Sequence, residues 1–386
     1  MAVTLGTDVL FERELLRGRT VGLVCNPASV DARWRHVTDR AEAAGVRIGA
    51  LFGPQHGIRS DLQENMIETP HARDARRRVP VYSLYSETRE PAPEMLAGLD
   101  ALVIDLQDVG TRIYTYIYTM AHCLRAAARD GLPVVVCDRP NPIGGEQVEG
   151  PMLAPGFESF VGEYPIPMRH GMTIGELARL FNDHFGLGAK LEVVAMQGWS
   201  RDQYFDETGA AWVLPSPNLP TLDSAIVYPG TVLLEGTNVS EGRGTTRPFE
   251  LVGAPWADAD AVAAALTALD LPGVVFRPHW FEPTFHKHAR AACGGCQIHV
   301  TDRRMFRPVE TGVAVIDVLR RADPSAFAWR EPPYEYEHTI PPIDILFGSA
   351  SLREGLASGA RAADLAAAWR AAVDAFLPLR RKFMMY

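Results

Sequence analysis

Two carboxylates, an amide, hydroxyls and a guanidinium fall within residues 235–245, which read Glu-Gly-Thr-Asn-Val-Ser-Glu-Gly-Arg-Gly-Thr. Gly236, Gly242 and Gly244 punctuate the run, and glycine permits sharp turns and close approach to a ligand. Following an apolar, strand-like segment, the run reads as a binding loop. Glu241 and Glu235 are its candidate acid–base groups, Asn238 a hydrogen-bonding amide, and Arg243 a cation suited to a carboxylate or phosphate. Glycoside cleavage fits this set. It needs a carboxylic acid to protonate the leaving oxygen and usually a second carboxylate, or another stabilising group, at the oxocarbenium-like centre. Asp108, Glu149 and Glu250 supply further carboxylates, and Tyr85, Tyr114, Tyr118, Trp199 and Trp212 could stack on a sugar. Tyr116 is assigned to the core, because alternate positions at a helix start cannot all face one cleft.

These groups need a scaffold. The first half alternates short β-branched runs with helical patterns, which predicts an α/β fold built on a Rossmann-like, mostly parallel sheet. Strands are expected at 20–25, 46–52, 79–84, 101–106, 133–137 and 191–195, with helices at 114–130 and 173–185. Thr173 with Glu176 forms a capping-box signature for the second helix. Polar motifs follow the strands: Asn26-Pro27, Gly53-Pro-Gln-His-Gly57, Tyr85, Gln107-Asp-Val-Gly-Thr-Arg112 and Asp138-Arg-Pro-Asn-Pro-Ile-Gly-Gly145. Open α/β sheets bind ligands at the carboxyl ends of their strands, so these loops are expected to converge on one crevice. After the proline-rich 213–220 a second unit begins. The expected division is a Rossmann-like domain over 1–222 and a smaller α/β auxiliary domain over 223–386, with a cleft between them. The second unit should hold helices near 258–269, 311–321 and 362–376 and strands at 274–277 and 297–301.

The 386 residues, 47% of them hydrophobic, can bury a large core, and no apolar stretch is long enough to span a bilayer. A net charge of −9 argues against a nucleic-acid partner. The one dense basic run, Arg73 with Arg76, Arg77 and Arg78, reads as a solvated helix end. The N-terminus lacks the pattern of a secretory leader, which places the chain in the cytoplasm unless a leader was removed. Five scattered cysteines suit a reducing compartment.

Other chemistries are weaker fits. The turn after the first strand, residues 25–30, contains no glycine to receive a pyrophosphate, so no nucleotide cofactor is expected. Cys293-Gly-Gly-Cys296 with His286 and His288 could be drawn as a zinc site, but the pair runs into an alternating strand and has no second paired motif. A divalent-metal hydrolase would gather His56, Asp105, Asp108 and Asp138, whose spacing leaves their assembly wholly to the fold.

Taken with Cys293-Gly-Gly-Cys-Gln-Ile-His-Val-Thr-Asp302 and the terminal Arg381-Lys-Phe-Met-Met-Tyr386, the motifs in this order resemble the NamZ-type exo-β-N-acetylmuramidases, a bacterial family long known as a domain of unknown function. The resemblance spans nearly the whole chain. It implies a Rossmann-like domain with an auxiliary domain, and release of N-acetylmuramic acid from the non-reducing end of peptidoglycan-derived fragments, without a cofactor. Family members commonly carry glutamate where this chain has Gln55, and an amide cannot act as acid or base. The essential carboxylate is therefore expected to be Glu241, then Asp108, then Glu235, with Asp108 or water completing the displacement. Arg243 or Arg112 would hold the lactyl carboxylate. Gln55, His56, Gln107, Asn141 and Asn238 would bond the ring substituents, and Tyr85 or Tyr114 would stack or donate. A non-catalytic muropeptide-binding or sensing protein and a metal-dependent hydrolase stand as alternatives.

Overall fold

The computed structural model describes residues 2–63 and 66–386. Seven strands form the main sheet: β1 (Thr20–Cys25), β2 (Arg47–Gly53), β3 (Ala72–Arg73), β4 (Pro80–Ser83), β5 (Ala101–Asp105), β6 (Val134–Cys137) and, after two strands outside it, β9 (Leu191–Val194). Their order is β3-β4-β2-β1-β5-β6-β9, parallel throughout except for the β3–β4 edge pair. Within β1, Val21, Leu23 and Cys25 join one apolar cluster while Val24 joins the other, so both faces are covered. This is why the strands read as unbroken apolar runs. The helix Tyr116–Asp130 packs on one face, and the short helices Gly6–Glu12 and Val37–Ala43 lie against the other. The Thr173 capping box is present, with Glu176 N donating to Thr173 Oγ1 at 3.3 Å and Thr173 N to Glu176 Oε2 at 3.1 Å.

The two intervening strands, β7 (Glu149–Met152) and β8 (Pro167–Arg169), form an antiparallel pair. The C-terminal part is built on an antiparallel sheet, β10 (Leu251–Ala254), β12 (Cys293–Val300) and β11 (Val274–Phe281), in the order β10-β12-β11. Helices Ala259–Thr267 and Pro308–Ala322 accompany it, and the closing helix runs Ala362–Phe383, one to two turns longer than its sequence pattern suggests. No described helix is long and apolar enough to cross a membrane.

Two local expectations are corrected, and a third is extended. The segment before Glu235 is not strand-like: helix Leu222–Thr231 continues into a 3-10 turn, Val232–Gly236. Its apolar run is buried on all sides, a setting in which periodicity does not separate helix from strand. The basic run is no helix end either. Arg73 lies in β3, while Arg76 and Arg77 reach across to Asp39 and Glu42. Finally, Cys293 and Cys296 both lie inside β12, where a separation of three residues turns their side chains to opposite faces.

Candidate active site

The loops after β2 and β5, the strands flanking β1, meet the C-terminal part at the sheet's carboxyl edge. There they enclose a pocket of ≈ 30 Å³. Gln55, His56, Tyr114 and Thr115 line it from the sheet side, Asn218 from the connecting segment, and Tyr228, Glu235, Arg243, Tyr334 and Glu335 from the C-terminal side. This is the crevice at which open α/β sheets place their ligands.

Glu335 was absent from the sequence expectations, and it sits at the centre of the polar network. Gln55 Nε2 donates to its Oε1 at 3.2 Å and the Tyr85 hydroxyl to its Oε2 at 2.8 Å. The Thr115 hydroxyl donates to Gln55 Oε1 at 2.8 Å, so the Gln55 amide is turned with its N–H toward Glu335. Burial first, with the negative charge of Glu235 adding to it, pushes the Glu335 carboxyl up to about 7, against the hydrogen bonds from Tyr85 and Gln55 and the Arg89 charge. The next residue, Tyr336, lies under the Arg89 guanidinium at 3.7 Å from its ring centroid and donates to Glu68 at 3.0 Å.

Glu235 has different company. Arg243 Nη2 donates to its Oε1 at 2.6 Å and the Tyr334 hydroxyl to its Oε2 at 2.7 Å. His56 donates through Nδ1 to the Leu62 carbonyl at 2.7 Å. Burial drives its imidazole down to about 4, so it is neutral near pH 7 with Nε2 as an acceptor.

Glu241 does not fit the role of proton donor. It is fully buried, and Lys287 Nζ lies 2.8 Å, Arg243 Nε 3.2 Å and His286 Nδ1 3.3 Å from its oxygens. Burial alone would raise its carboxyl. Lys287, His286 and Arg243 outweigh burial and hold it far below the usual range, so it stays anionic. The neighbouring glycines serve the chain itself rather than a ligand. At Gly244 the backbone has φ +81, and an added Cβ would meet Phe285 O at 2.7 Å.

Other expected residues are spent on the fold. Arg112 is wholly buried and donates to the carbonyls of Pro151, Ile166, Leu346 and Phe347 at 2.7–3.1 Å, which leaves it no lactyl carboxylate to bind. Gln107 donates to the Asp108 and Pro140 carbonyls, Asn141 to that of Met172, and Asn238 to that of Ala326. Asp108 accepts from Gly110 N at 2.8 Å and faces His170 at 3.3 Å, away from the pocket lining. Tyr85 does not line the pocket itself but donates to Glu335, which does. Gln55, His56, Tyr114, Glu235 and Arg243 are brought together as lining residues. The residues drawn for a metal are dispersed: Asp105 pairs with Arg139, and Asp138 accepts from Thr173, Gly175 and Tyr386.

Fold and pocket thus define a two-part α/β protein with a buried, carboxylate-bearing cleft at the edge of a parallel sheet. Family models for the N-terminal and C-terminal parts of exo-beta-N-acetylmuramidase NamZ match residues 21–223 and 226–386. The chain belongs to this family. It is 46% identical over 387 residues to the peptidoglycan beta-N-acetylmuramidase NamZ of Bacillus subtilis, covering 100% of this chain and 91% of that relative. Among solved structures, a DUF1343 family protein from Bacteroides fragilis matches with a TM-score of 0.90 at 35% identity, covering 100% of this chain and 99% of the other. A second DUF1343 protein of that organism matches with a TM-score of 0.78 at 25% identity and the same coverage.

Proposed function

We propose that the protein is an exo-acting β-N-acetylmuramidase that releases N-acetylmuramic acid from the non-reducing end of peptidoglycan-derived fragments. The observation that carries this reading is a pair of buried carboxylates in unlike settings, Glu235 against Arg243 and Glu335 between neutral donors, on one pocket. Glycoside cleavage usually employs two carboxyl groups placed in unlike environments. The family and the naming of the Bacillus subtilis relative supply the sugar.

In this reading the neutral His56 accepts from a ring hydroxyl, while Asn218 and Tyr114 bond the remaining polar substituents. Arg243 brings positive charge toward an anionic lactyl group. Glu241, with Lys287 and His286 behind it, fixes the Arg243 side chain and takes no part in proton transfer.

The test is incubation of the purified protein with a chromogenic β-N-acetylmuramide beside the matching β-N-acetylglucosaminide, with and without chelator. Selective, chelator-resistant release from the muramide is expected. Silence on both, with muramic acid still bound, would replace hydrolysis by sensing.

A further inference from the structure

We propose that Glu335 is the general acid that protonates the leaving glycosidic oxygen, delivered by a strained turn whose residues are chosen for chemistry and not for folding. The proposal rests on the hydrolase reading above and adds the identity of its proton donor.

The first observation is the turn itself. Tyr334 N donates to Glu337 O and Glu337 N to Tyr334 O, both at 2.9 Å, so Glu335 and Tyr336 are the two central residues of a tight hairpin. Both have positive φ, 45° and 70°. Two-residue turns with this backbone favour Asn-Gly or Asp-Gly, and bulky side chains there are strained. A local rule broken where a carboxylate enters a pocket is the mark of a residue held for function.

The second observation is the donor set. Glu335 is 3% exposed and lines the pocket, and each of its oxygens faces one neutral donor, Gln55 Nε2 or the Tyr85 hydroxyl. Among the described residues, the charged and titratable groups around it are Glu235 on the facing loop, Tyr228, Tyr334, Arg89 beside Tyr85, and Tyr336 with Glu68. Neutral donors leave the acid its proton in the resting state, yet they are already in place to stabilise the carboxylate formed on transfer. Glu241, held by Lys287 and Arg243, and Glu235, paired with Arg243, lack that combination.

The step balances without any co-reactant beyond water. The C1–O bond breaks with its electron pair going to the leaving oxygen, which takes the proton from Glu335. Water adds to C1 and releases a proton to solvent, from which Glu335 is recharged.

The test compares two substrates. A nitrophenyl β-N-acetylmuramide departs as a stable phenolate and needs little protonation, whereas a muramyl-containing disaccharide departs as an alkoxide and needs an acid. Glu335→Gln should lower kcat on the disaccharide by on the order of 10²–10⁴-fold with KM little changed, and lower kcat on the nitrophenyl substrate by at least about tenfold less. Glu335→Asn, a residue this turn prefers, guards against a folding defect and should show the same split. In the wild type, Tyr85→Phe keeps the acid but removes one donor to its carboxylate, and should move the alkaline limb of kcat upward. Equal losses on both substrates, or disaccharide turnover near wild type in Glu335→Gln, overturn the proposal while leaving the hydrolase reading standing. A wild type inert on both muramides overturns both.

Discussion

Replacing Lys287 with methionine removes a cation and leaves Glu241 in place, in a site that is 0% exposed. Lys287 Nζ donates to Leu234 O at 2.7 Å, Val239 O at 3.0 Å and Glu241 Oε2 at 2.8 Å, so all three of its protons are committed. Burial draws the ammonium below its usual value against the pull of Glu241, and the pair stands as two ions. Breaking a buried pair from one side costs about 3–5 kcal/mol where the remaining charge is stranded, and because Arg243 Nε still faces Glu241 at 3.2 Å the lower end, about 3 kcal/mol, applies here. With an unfolding entropy of about 2.1 cal/mol/K per residue, a chain of this length changes stability by about 0.8 kcal/mol per degree near its midpoint. Thermal unfolding at pH 7 should therefore fall by about 4 °C. The sign of the pH effect follows from the depressed Glu241 carboxyl: its contribution is present above the ordinary glutamate value and is lost only as pH falls through the lowered folded value. In Lys287→Met that folded value rises, so the deficit against wild type should narrow as the pH is brought to about 4. Glu241→Gln should cost stability of similar size, and the double variant less than the sum of the two. Calorimetry on the four proteins measures this directly. A Glu241→Gln variant with unchanged midpoint and abolished turnover would refute the reasoning and return Glu241 to the chemistry.

Three further outcomes are expected. Glu335 sits near 7 when folded and near 4.5 when unfolded, so its penalty appears as pH rises through that window; Glu335→Asn should gain up to about 3 kcal/mol over wild type at pH 8 that is absent at pH 4, read by chemical denaturation. Gln55→Glu places a second carboxyl beside the first, and the pair should share a proton, moving the alkaline limb of the rate profile up by about one unit or more. Arg112→Met strands four buried carbonyls and should lower the thermal midpoint by several degrees with KM unchanged in the protein that remains folded; a raised KM at normal stability would restore it as a ligand-binding residue.

The six parallel strands were readable almost to the residue because that sheet is buried on both faces, which forces β-branched runs such as Thr20–Cys25 and Val134–Cys137, whereas the antiparallel strands of the C-terminal part were caught only in part. That Gln55, His56, Tyr114, Glu235 and Arg243 would meet on one pocket was readable because strand ends and glycine-marked loops announce a crevice. The same logic did not separate Arg112, Gln107, Asn141 and Asn238, which lie off that pocket and bond backbone carbonyls. A polar side chain at a strand end looks alike in sequence whether it awaits a ligand or satisfies a buried carbonyl, and only the assembled backbone separates the two. Glu335 lies 280 positions from Gln55, and its turn has none of the residues that usually mark one, so no local pattern exposed it.

The small size of the pocket carries a kinetic meaning. About 30 Å³ is room for one or two waters, while sites for sugar-sized ligands measure roughly 300 Å³ or more. If the wall bearing Glu335 moves to admit a sugar and settles again before the proton is given, the acid is a latch as well as a reagent. A terminal residue can be shut behind that latch, whereas a sugar within a long strand would hold it ajar with its proton out of reach. Turnover limited by that motion would slow with solvent viscosity and respond weakly to the leaving group, and chain-end selectivity would then arise from closure as much as from contact.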